Sequence, residues 1–396
     1  MSIEDESQYT TPSHEHGATL SQQELTDLIL EQTNISALKL ITLSYDMPSV
    51  AGNATKIHRH LLNLAQQGVS ITVGVDNTYA RRVAPKSDLP IKIAQLVGEG
   101  EKVASVRQTY KELAEQDNIR LIYNGSEKPP FFPLSKIDHR KMLLIYKDGI
   151  PHAGAVFGSS INYHLDTSLG SALYLQDKSL LSWFDQYSET PHYTPPTQVE
   201  LGNIKITTRE LTPKGNELAD EAIAEVARHA QSEILFCSQF VPDGKTFREM
   251  AKAAKKGVKV LIYSNFPPLN RQPLNAPIRI LALQNLARLA KETGNVHFFV
   301  PESDLFIHLM ALIADPHDSN QAKAITGSDN LTNDLVYKFG MRETLLTIND
   351  PRITTSFVRY LEEKLIPKCR ELNLYNASLK NILIDSSPYR KGPPRL

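Results

Sequence analysis

Two histidines begin segments of matched layout in this 396-residue chain. His139 is followed by Lys141, an apolar run and, nineteen positions after the histidine, a Gly-Ser pair that starts at Gly158. His308 also precedes an apolar run, and nineteen positions again separate it from the Gly-Ser pair that starts at Gly327. Because imidazole titrates near neutral pH, a histidine so placed can serve as a nucleophile, an acid or a base. The matched spacing predicts an internal duplication, with one chemical site built from both copies.

Each histidine segment closes a predicted α/β repeat. The passages Q-Q-G-V-S-I-T-V-G-V-D (66–76) and K-K-G-V-K-V-L-I-Y-S-N (255–265) share a helix end, a Gly-Val pair and a following strand. A strand precedes the helix in both copies, which is the strand–helix–strand unit of a parallel sheet. Hydrophobic periodicity predicts further elements in the same order in the two halves, and a long helix over 351–371 ends the second.

The repeats predict an α/β fold with two pseudo-twofold-related halves, each a mostly parallel mixed sheet flanked by helices. The site is expected at the interface between the halves, where it receives one histidine from each. The predicted organisation is a disordered tail over 1–20, an N-terminal half over 21–190, a linker over 191–210, a C-terminal half over 211–375 and a second tail over 376–396. Prolines and scattered polar residues mark the linker.

Composition narrows the functional classes. The formal net charge is −1 and 41% of the residues are hydrophobic, which is typical of a globular protein without a global field for nucleic acid or anionic lipid. Two cysteines, Cys237 and Cys369, cannot form a disulfide framework. The acidic N-terminus lacks the features of a secretory signal, and no stretch approaches the roughly 20 apolar residues of a membrane span. We therefore expect a soluble cytoplasmic protein, with peripheral membrane contact left open.

The two histidine segments resemble the phospholipase D superfamily. Its hallmark is a duplicated His-x-Lys, followed after four residues by Asp, with Gly-Ser and Asn downstream, and the resemblance covers residues 37–370. It implies that one histidine attacks phosphorus to form a phosphohistidine, while the other protonates the leaving oxygen and then activates water or an alcohol. It implies a phospholipid or other phosphodiester substrate, no metal and no cofactor. Lys, Ser and Asn side chains would surround the charged phosphoryl group.

The matching positions supply the candidate site residues. They are the catalytic candidates His139, Lys141, His308, Asp315 and Glu343, and the phosphate-binding candidates Ser159, Asn162, Ser328 and Asn330. Glu343 lies where the family often places a carboxylate that orients a histidine, which would favour His308 as the nucleophile. Lys141 would instead favour His139, because it keeps a cation beside that histidine. The attacking histidine therefore stays open.

Each half departs from the motif at one position. Tyr146 takes the place of the first Asp, and Met310 takes the place of the second Lys. Asp148, two residues after Tyr146, would either substitute for the Asp or form the hairpin turn that Asp-Gly favours. The loss of a phosphate clamp worth about 3 kcal/mol would slow the reaction by roughly two orders of magnitude. Arg140 and Arg342 are candidates to compensate for it.

Three functions are compatible with these residues. The first is a metal-independent phosphodiesterase or phosphatidyltransferase of phospholipid metabolism, similar to phospholipase D and cardiolipin synthase. The second is a nuclease of the same superfamily, which the near-neutral charge disfavours because proteins that bind a phosphate backbone are usually basic. The third is a weakly active or inactive member that binds a phosphoryl group. The sequence favours the first and leaves the oligomeric state open.

Overall fold

The structure is a computed structural model of the chain. It describes residues 19–42, 53–76, 100–124, 137–158, 168–189, 197–210, 213–265, 276–302, 305–318, 320–331 and 341–374. The predicted C-terminal tail, the N-terminal tail up to residue 18, and the site candidates Ser159 and Asn162 lie outside the described residues.

The first half contributes nine strands and four helices to the described part of the chain. In chain order they are β1 (Thr19–Ser21), α1 (Gln22–Leu30), β2 (Ala37–Thr42), α2 (Asn53–Gln66), β3 (Ser70–Asp76), α3 (Gly100–Ala114), β4 (Ile119–Asn124), β5 (Ile137–Asp138), β6 (Met142–Lys147), β7 (Ile150–Phe157), β8 (Ser168–Leu169), β9 (Ser171–Leu175) and α4 (Lys178–Glu189). The sequence patterns described above do not predict α4, although this helix carries Tyr187, which contacts residues next to the site.

The second half repeats this order with additions at each edge. Its described elements are β10 (Gln198–Leu201), β11 (Ile204–Arg209), α5 (Pro213–His229), β12 (Glu233–Ser238), α6 (Gly244–Lys255), β13 (Lys259–Ser264), α7 (Ala276–Thr293), β14 (Val296–Pro301), β15 (Phe306–Ile307), β16 (Ala311–Ala314), β17 (Lys323–Gly327), β18 (Met341–Ile348), α8 (Pro351–Lys364), a 3-10 turn (Ile366–Lys368) and β19 (Cys369–Leu372). The expected linker therefore contains β10 and β11, and the expected long helix ends early because Pro367 and β19 follow it.

The two large sheets share one strand order. The first sheet runs β1-β9-β7-β6-β2-β3-β4, and the second runs β11-β18-β17-β16-β12-β13-β14 with β10 and β19 at its edges. Strand for strand, β6 of the first sheet corresponds to β16 of the second, and β9 corresponds to β18. This common order is the structural counterpart of the duplicated sequence pattern.

The expectation of mostly parallel sheets needs correction. Parallel pairing joins β2, β3 and β4 in the first sheet and β12, β13 and β14 in the second. The other ladders within the two sheets are antiparallel, because hairpins such as β6–β7 and β16–β17 extend each parallel core. The α/β class with two mixed sheets flanked by helices is confirmed.

Local sequence signals set the ends of several helices. Ser21 and Glu24 form a capping box at the start of α1, with each side chain accepting from the other residue's backbone N–H. Gly68 follows α2 with a φ of 89°, and Gly257 follows α6 with a φ of 97°. Both adopt the left-handed conformation that favours glycine after a helix, so the repeated Gly-Val pair ends the helix and begins the next strand in both halves.

The protein has three apolar cores, one between the two sheets and one on the outer face of each sheet. Side chains alternate along β6, so Leu143 joins the core beneath α1, α2 and α3 while Leu144 joins a central core. Phe184 of α4 and Ile313 of β16 belong to the same central core, which therefore lies between the two sheets. Leu312 faces the third core, with α5, α6 and α7. The halves are thus joined by a continuous apolar layer.

Two short parallel pairs cross between the halves. β5 of the first half pairs with β18 of the second, with Asp138 opposite Arg342. β15 of the second half pairs with β8 of the first, with Ile307 opposite Leu169. Because β5 and β15 each lead directly into a motif histidine, every histidine is held against a strand of the other half.

Candidate active site

His139 and Glu343 form a hydrogen bond across the two halves. The distance from His139 Nδ1 to Glu343 Oε1 is 2.6 Å, and both side chains are buried. The Ser328 hydroxyl donates to the other carboxylate oxygen, Oε2, at 2.6 Å, and accepts from the backbone N–H of Thr344 at 3.0 Å. The sequence predicts a phosphate ligand at Ser328, but in the structure its hydroxyl holds Glu343 against His139.

The expectation that Glu343 favours His308 is therefore wrong. β18 carries Glu343 and pairs with β5, so the carboxylate faces the histidine of the other half. The corresponding position in the first half is Leu169 or Gly170, according to whether the alignment follows the inner ladders or the crossing pairs. Neither residue has a carboxylate, so Glu343 has no carboxylate counterpart at the equivalent position of the first half.

Lys141 lies beside the imidazole ring of His139. Its Nζ lies 3.1 Å from His139 Nε2 and 3.3 Å from Nδ1, so the ammonium is not aligned with the lone pair of either nitrogen. Glu343 selects the tautomer, because an ionised carboxylate can only accept and Nδ1 therefore donates to it. This tautomer leaves the Nε2 lone pair directed away from Glu343, as a nucleophile requires.

Burial shapes the titration of this cluster. It lowers the pKa of His139 well below the usual value, with Lys141 adding to the effect. Burial also raises the pKa of Glu343 well above its usual value, although Lys141 opposes this shift. Both shifts act against a charged pair of imidazolium and carboxylate. Burial lowers the pKa of Lys141 to about 8, with Glu343 and Asp329 acting in the opposite direction.

His308 faces the same cluster from the second half. Its side chain is buried, and burial lowers its pKa well below the usual value. The charges of Lys141 and His139 lower the pKa further, which places His308 close to both groups. The structure thus brings four of the predicted catalytic residues together. They are His139, Lys141, His308 and Glu343.

A second layer of charge lies behind Lys141. Asp329 forms an ion pair with Arg209, whose guanidinium also donates to Asp220 at 3.0 Å. Asp329 acts electrostatically on both His139 and Lys141. Asp329 belongs to the G-S-D-N run used to identify the motif, yet its spacing alone does not show a charged partner in β11.

The two arginines expected to compensate for the missing lysine are already paired. Arg140 binds Asp138 through Nε and a terminal nitrogen, at distances from 2.6 to 3.1 Å. Arg342 forms an ion pair with Glu210 at 3.0 Å. Each guanidinium carbon lies 4.8 Å from the centre of the Tyr187 ring, and the Tyr187 hydroxyl donates to Glu210 at 3.2 Å. These buried cations hold protein groups together, so they are not available as a phosphate clamp.

Met310 occupies the lysine position of the second half and belongs to the apolar core beneath α5, α6 and α7. Its Sδ accepts a weak hydrogen bond from the Ser238 hydroxyl at 3.7 Å, and the same hydroxyl donates to the Asn330 carbonyl at 2.6 Å. The side-chain Oδ1 of Asn330 is buried without a hydrogen-bond partner among the described residues. An amide oxygen accepts hydrogen bonds, whereas a phosphate-binding role would use the Nδ2 donors, so the role of Asn330 stays a prediction.

Asp315 lies at the opposite end of β16 from His308 and is not part of this cluster. Its carboxylate accepts from the backbone N–H groups of Gln231, Ser232 and Glu233 at 2.7 to 3.1 Å. Burial raises the pKa of Asp315, but these donors outweigh it and hold the pKa below its usual value. The predicted catalytic role of Asp315 is replaced by a structural role, because its oxygens bind the turn between α5 and β12.

The equivalent residue of the first half, Tyr146, also contacts structural groups. Its hydroxyl donates to Asp185 at 2.6 Å, and Asp185 forms an ion pair with Lys39 at 2.8 Å. Asp148 and Gly149 have φ values of 51° and 75° and form the hairpin turn between β6 and β7. Asp148 is therefore a turn residue and does not substitute for the motif's Asp.

The comparisons with known proteins agree with this geometry. Residues 223–365 match the family described as cardiolipin synthase, PLD-like domain. No curated protein matches the chain. The matched stretch includes His308, Ser328 and Glu343, so this part of the second half is similar to a phospholipase D-like domain.

Solved structures extend the likeness to the whole chain. Phosphatidylserine synthase of Haemophilus influenzae Rd KW20 aligns with 16% identity and a TM-score of 0.63, over 95% of this chain and 91% of that one. Polyphosphate kinase of Porphyromonas gingivalis aligns with 14% identity and a TM-score of 0.52, over 95% of this chain and 52% of that one. The resemblance to the phospholipase D superfamily is confirmed. Within the described residues, no helix is both long and apolar enough to span a bilayer.

Proposed function

We propose that this chain is a metal-independent phosphodiesterase or phosphatidyltransferase that works through a phosphohistidine on His139. The observation that carries the proposal is the 2.6 Å hydrogen bond between His139 Nδ1 and Glu343, formed across the two halves. It selects the nucleophilic tautomer and stabilises the positive charge that the imidazole develops on attack. Because Glu343 orients His139, this pairing favours His139 over His308 as the attacking residue.

The first chemical step forms a bond between His139 Nε2 and phosphorus. On substrate binding the Lys141 ammonium, which lies 3.1 Å from Nε2, donates to a phosphoryl oxygen and holds phosphorus near the lone pair. The phosphodiester anion raises the pKa of His308, so this imidazole takes up a proton. His308 then donates that proton to the leaving alkoxide as the bond between phosphorus and oxygen breaks.

The second step releases the phosphoryl group. Neutral His308 accepts a proton from water or from an alcohol, whose oxygen attacks phosphorus while the bond to His139 Nε2 breaks. Water gives hydrolysis and an alcohol gives transfer. Glu343 holds the imidazole in place during both steps because its other oxygen is fixed by Ser328.

Phospholipid is the substrate class that we favour. The family matched by residues 223–365 is described as cardiolipin synthase, PLD-like domain. The net charge of −1 and the paired state of Arg140 and Arg342 provide little of the basic surface that a nucleic-acid backbone requires. A cytoplasmic protein with peripheral membrane contact would meet such a substrate at the membrane surface.

Phosphoryl binding without turnover is the second candidate. Met310 stands at the position of the motif's second lysine and is buried in the apolar core, so one of the two cations of the motif is absent, which favours this alternative. A rate lower by roughly two orders of magnitude is expected if the missing clamp is worth about 3 kcal/mol. The two candidates differ in whether product forms at all.

Hydrolysis and transfer assays with labelled phosphatidylglycerol vesicles and a labelled oligonucleotide, both in EDTA, test the proposal. We expect turnover of the lipid that is lost in His139→Ala and in His308→Ala. The matched control is His297→Ala, a partly exposed histidine on β14 paired with Glu371, which should leave the rate unchanged. Binding without product from any substrate would support the second candidate, and faster oligonucleotide cleavage would overturn the lipid assignment.

A further inference from the structure

Two residues at the ends of the parallel strands hold the backbone before each motif histidine. Asp76 ends β3, and its Oδ2 accepts from the backbone N–H of Asp138 at 2.7 Å. Asn265 follows β13, and its Oδ1 accepts from the backbone N–H of Ile307 at 2.8 Å. Asp138 and Ile307 immediately precede the two histidines. The backbone N–H of the residue before the histidine is therefore bound in both halves.

Strand pairing shows that these two acceptors occupy equivalent positions. Thr42 of β2 pairs with Val75, and Ser238 of β12 pairs with Ser264. The next residue along the chain is Asp76 in the first half and Asn265 in the second. They are also the last residues of the two repeated passages that reveal the duplication. The sequence therefore contained a signal for them, although neither is near a histidine along the chain.

We infer that Asp76 and Asn265 are matched positioning residues, Asp76 for His139 and Asn265 for His308. Both side chains are buried, with exposed fractions of 1% and 5%. Each acceptor fixes the residue before the histidine on one side, while the crossing strand fixes it on the other. A displacement of about 1 Å at a reacting group can lower a rate on the order of 10²-fold. The inference rests on the proposed function for its catalytic consequence.

The Asn265 amide makes a second hydrogen bond to the residue that it holds, and this bond makes the inference testable. Asn265 Nδ2 also donates to the Ile307 carbonyl at 2.7 Å, so the amide binds both backbone groups of one residue. An amide at position 76 keeps the acceptor for Asp138, as the second half already shows. A carboxylate at position 265 keeps the acceptor but places a negative oxygen against the Ile307 carbonyl.

The test compares Asp76→Asn with Asn265→Asp, each the residue that the other half uses. We expect Asp76→Asn to retain kcat within about threefold and Asn265→Asp to lose on the order of 10²-fold, with KM little changed. A trap for phosphohistidine should show slowed formation and slowed breakdown in Asn265→Asp, because His308 protonates the leaving group and then activates the second nucleophile. Equal effects of the two substitutions, or an unchanged kcat in Asn265→Asp, would overturn the inference.

A second readout does not depend on activity. With carbon-13-labelled histidine, resonances of His139 and His308 are assigned by their loss in the alanine variants. Asn265→Asp should shift the pH titration of His308, whereas Asp76→Asn should leave that of His139 in place. If the wild-type chain turns over no substrate, these titrations still decide the positioning roles. An unshifted His308 would overturn them, even where the assays uphold the proposed function.

Discussion

In the proposed mechanism the lone pair of His139 Nε2 attacks phosphorus, and Glu343, Ser328 and Lys141 determine its direction and surroundings. Glu343 accepts from Nδ1, Ser328 fixes Glu343, and the proposed role of Lys141, whose Nζ lies 3.1 Å from Nε2, is to bind a phosphoryl oxygen. Each contact is made by a buried side chain, so water cannot substitute for a missing partner. The proposed mechanism therefore assigns the nucleophilic attack to His139, although two histidines occur in the motif.

The pH dependence follows from Lys141. Burial lowers its pKa to about 8, so its positive charge is present below that pH and is lost as the pH rises through it. We expect kcat/KM to fall above about pH 8, because a neutral amine stabilises the phosphoryl charge poorly. The acidic limb should lie below the usual histidine range, since burial lowers the pKa of both His139 and His308. A pH–rate profile of the free enzyme measures both limbs.

Lys141→Arg provides the control for this assignment. A guanidinium stays charged throughout the accessible range, so the alkaline limb should move to higher pH even where the overall rate is lower. The profile of Lys111→Arg, an exposed lysine of α3, should match the wild type. An alkaline limb that stays in place in Lys141→Arg would mean that another group titrates.

At the scale of elements, α4 joins the two halves at the point where the site forms. Tyr187 near the end of this helix contacts Arg140 of the first half and Arg342 of the second. Arg140 lies between His139 and Lys141 in sequence, and Arg342 directly precedes Glu343. The Tyr187 ring therefore fixes the two segments whose side chains form the hydrogen bond of the site.

Tyr187→Leu tests the contribution of α4. We expect kcat to fall by about tenfold or more, because the segments that carry His139 and Glu343 lose their common support. Phe184→Leu is the matched control, since Phe184 is a fully buried aromatic residue of the same helix in the central core. Both variants should lose about 1–3 kcal/mol of stability, measured by denaturant unfolding. Equal kcat values in the two variants would assign α4 a purely structural role.

The elements that the sequence predicts well are those specified by neighbouring residues. The capping box at Ser21 and the glycines at Gly68 and Gly257 place helix ends because they act within a few positions. The hydrogen bond between His139 and Glu343 joins residues 204 positions apart. No local pattern carries that contact, since it depends on β5 crossing to β18. The histidine that Glu343 orients could therefore not be predicted from the sequence.

The same limit explains the other corrections. Asp315 matched the motif in position, but the motif does not show that its oxygens bind the turn before β12. Ser328 matched as a phosphate ligand, but its hydroxyl is directed to Glu343. Residue type and spacing identified which side chains are polar and near one another, whereas the strand partners decided what each side chain contacts.

At the scale of the whole molecule, the two halves share one strand order but differ in the residues that they bring to the site. The common strand order brings two histidines to one interface, and the crossing pairs hold each against the other half. The first half retains Lys141 and receives Glu343, whereas the second half carries Met310 and faces Leu169 and Gly170. The proposed function accordingly gives the two histidines different roles, with His139 as the nucleophile and His308 as the acid and base.

Brief exposure to labelled phosphatidylglycerol, followed by denaturation and peptide mapping, tests this division most directly. Phosphohistidine should form on the peptide that contains His139, form and break down more slowly in His308→Ala, and be absent in His139→Ala. Glu343→Gln should lower the amount formed, because a neutral amide stabilises the developing imidazolium less. Label on the peptide that contains His308, retained in His139→Ala, would contradict the account.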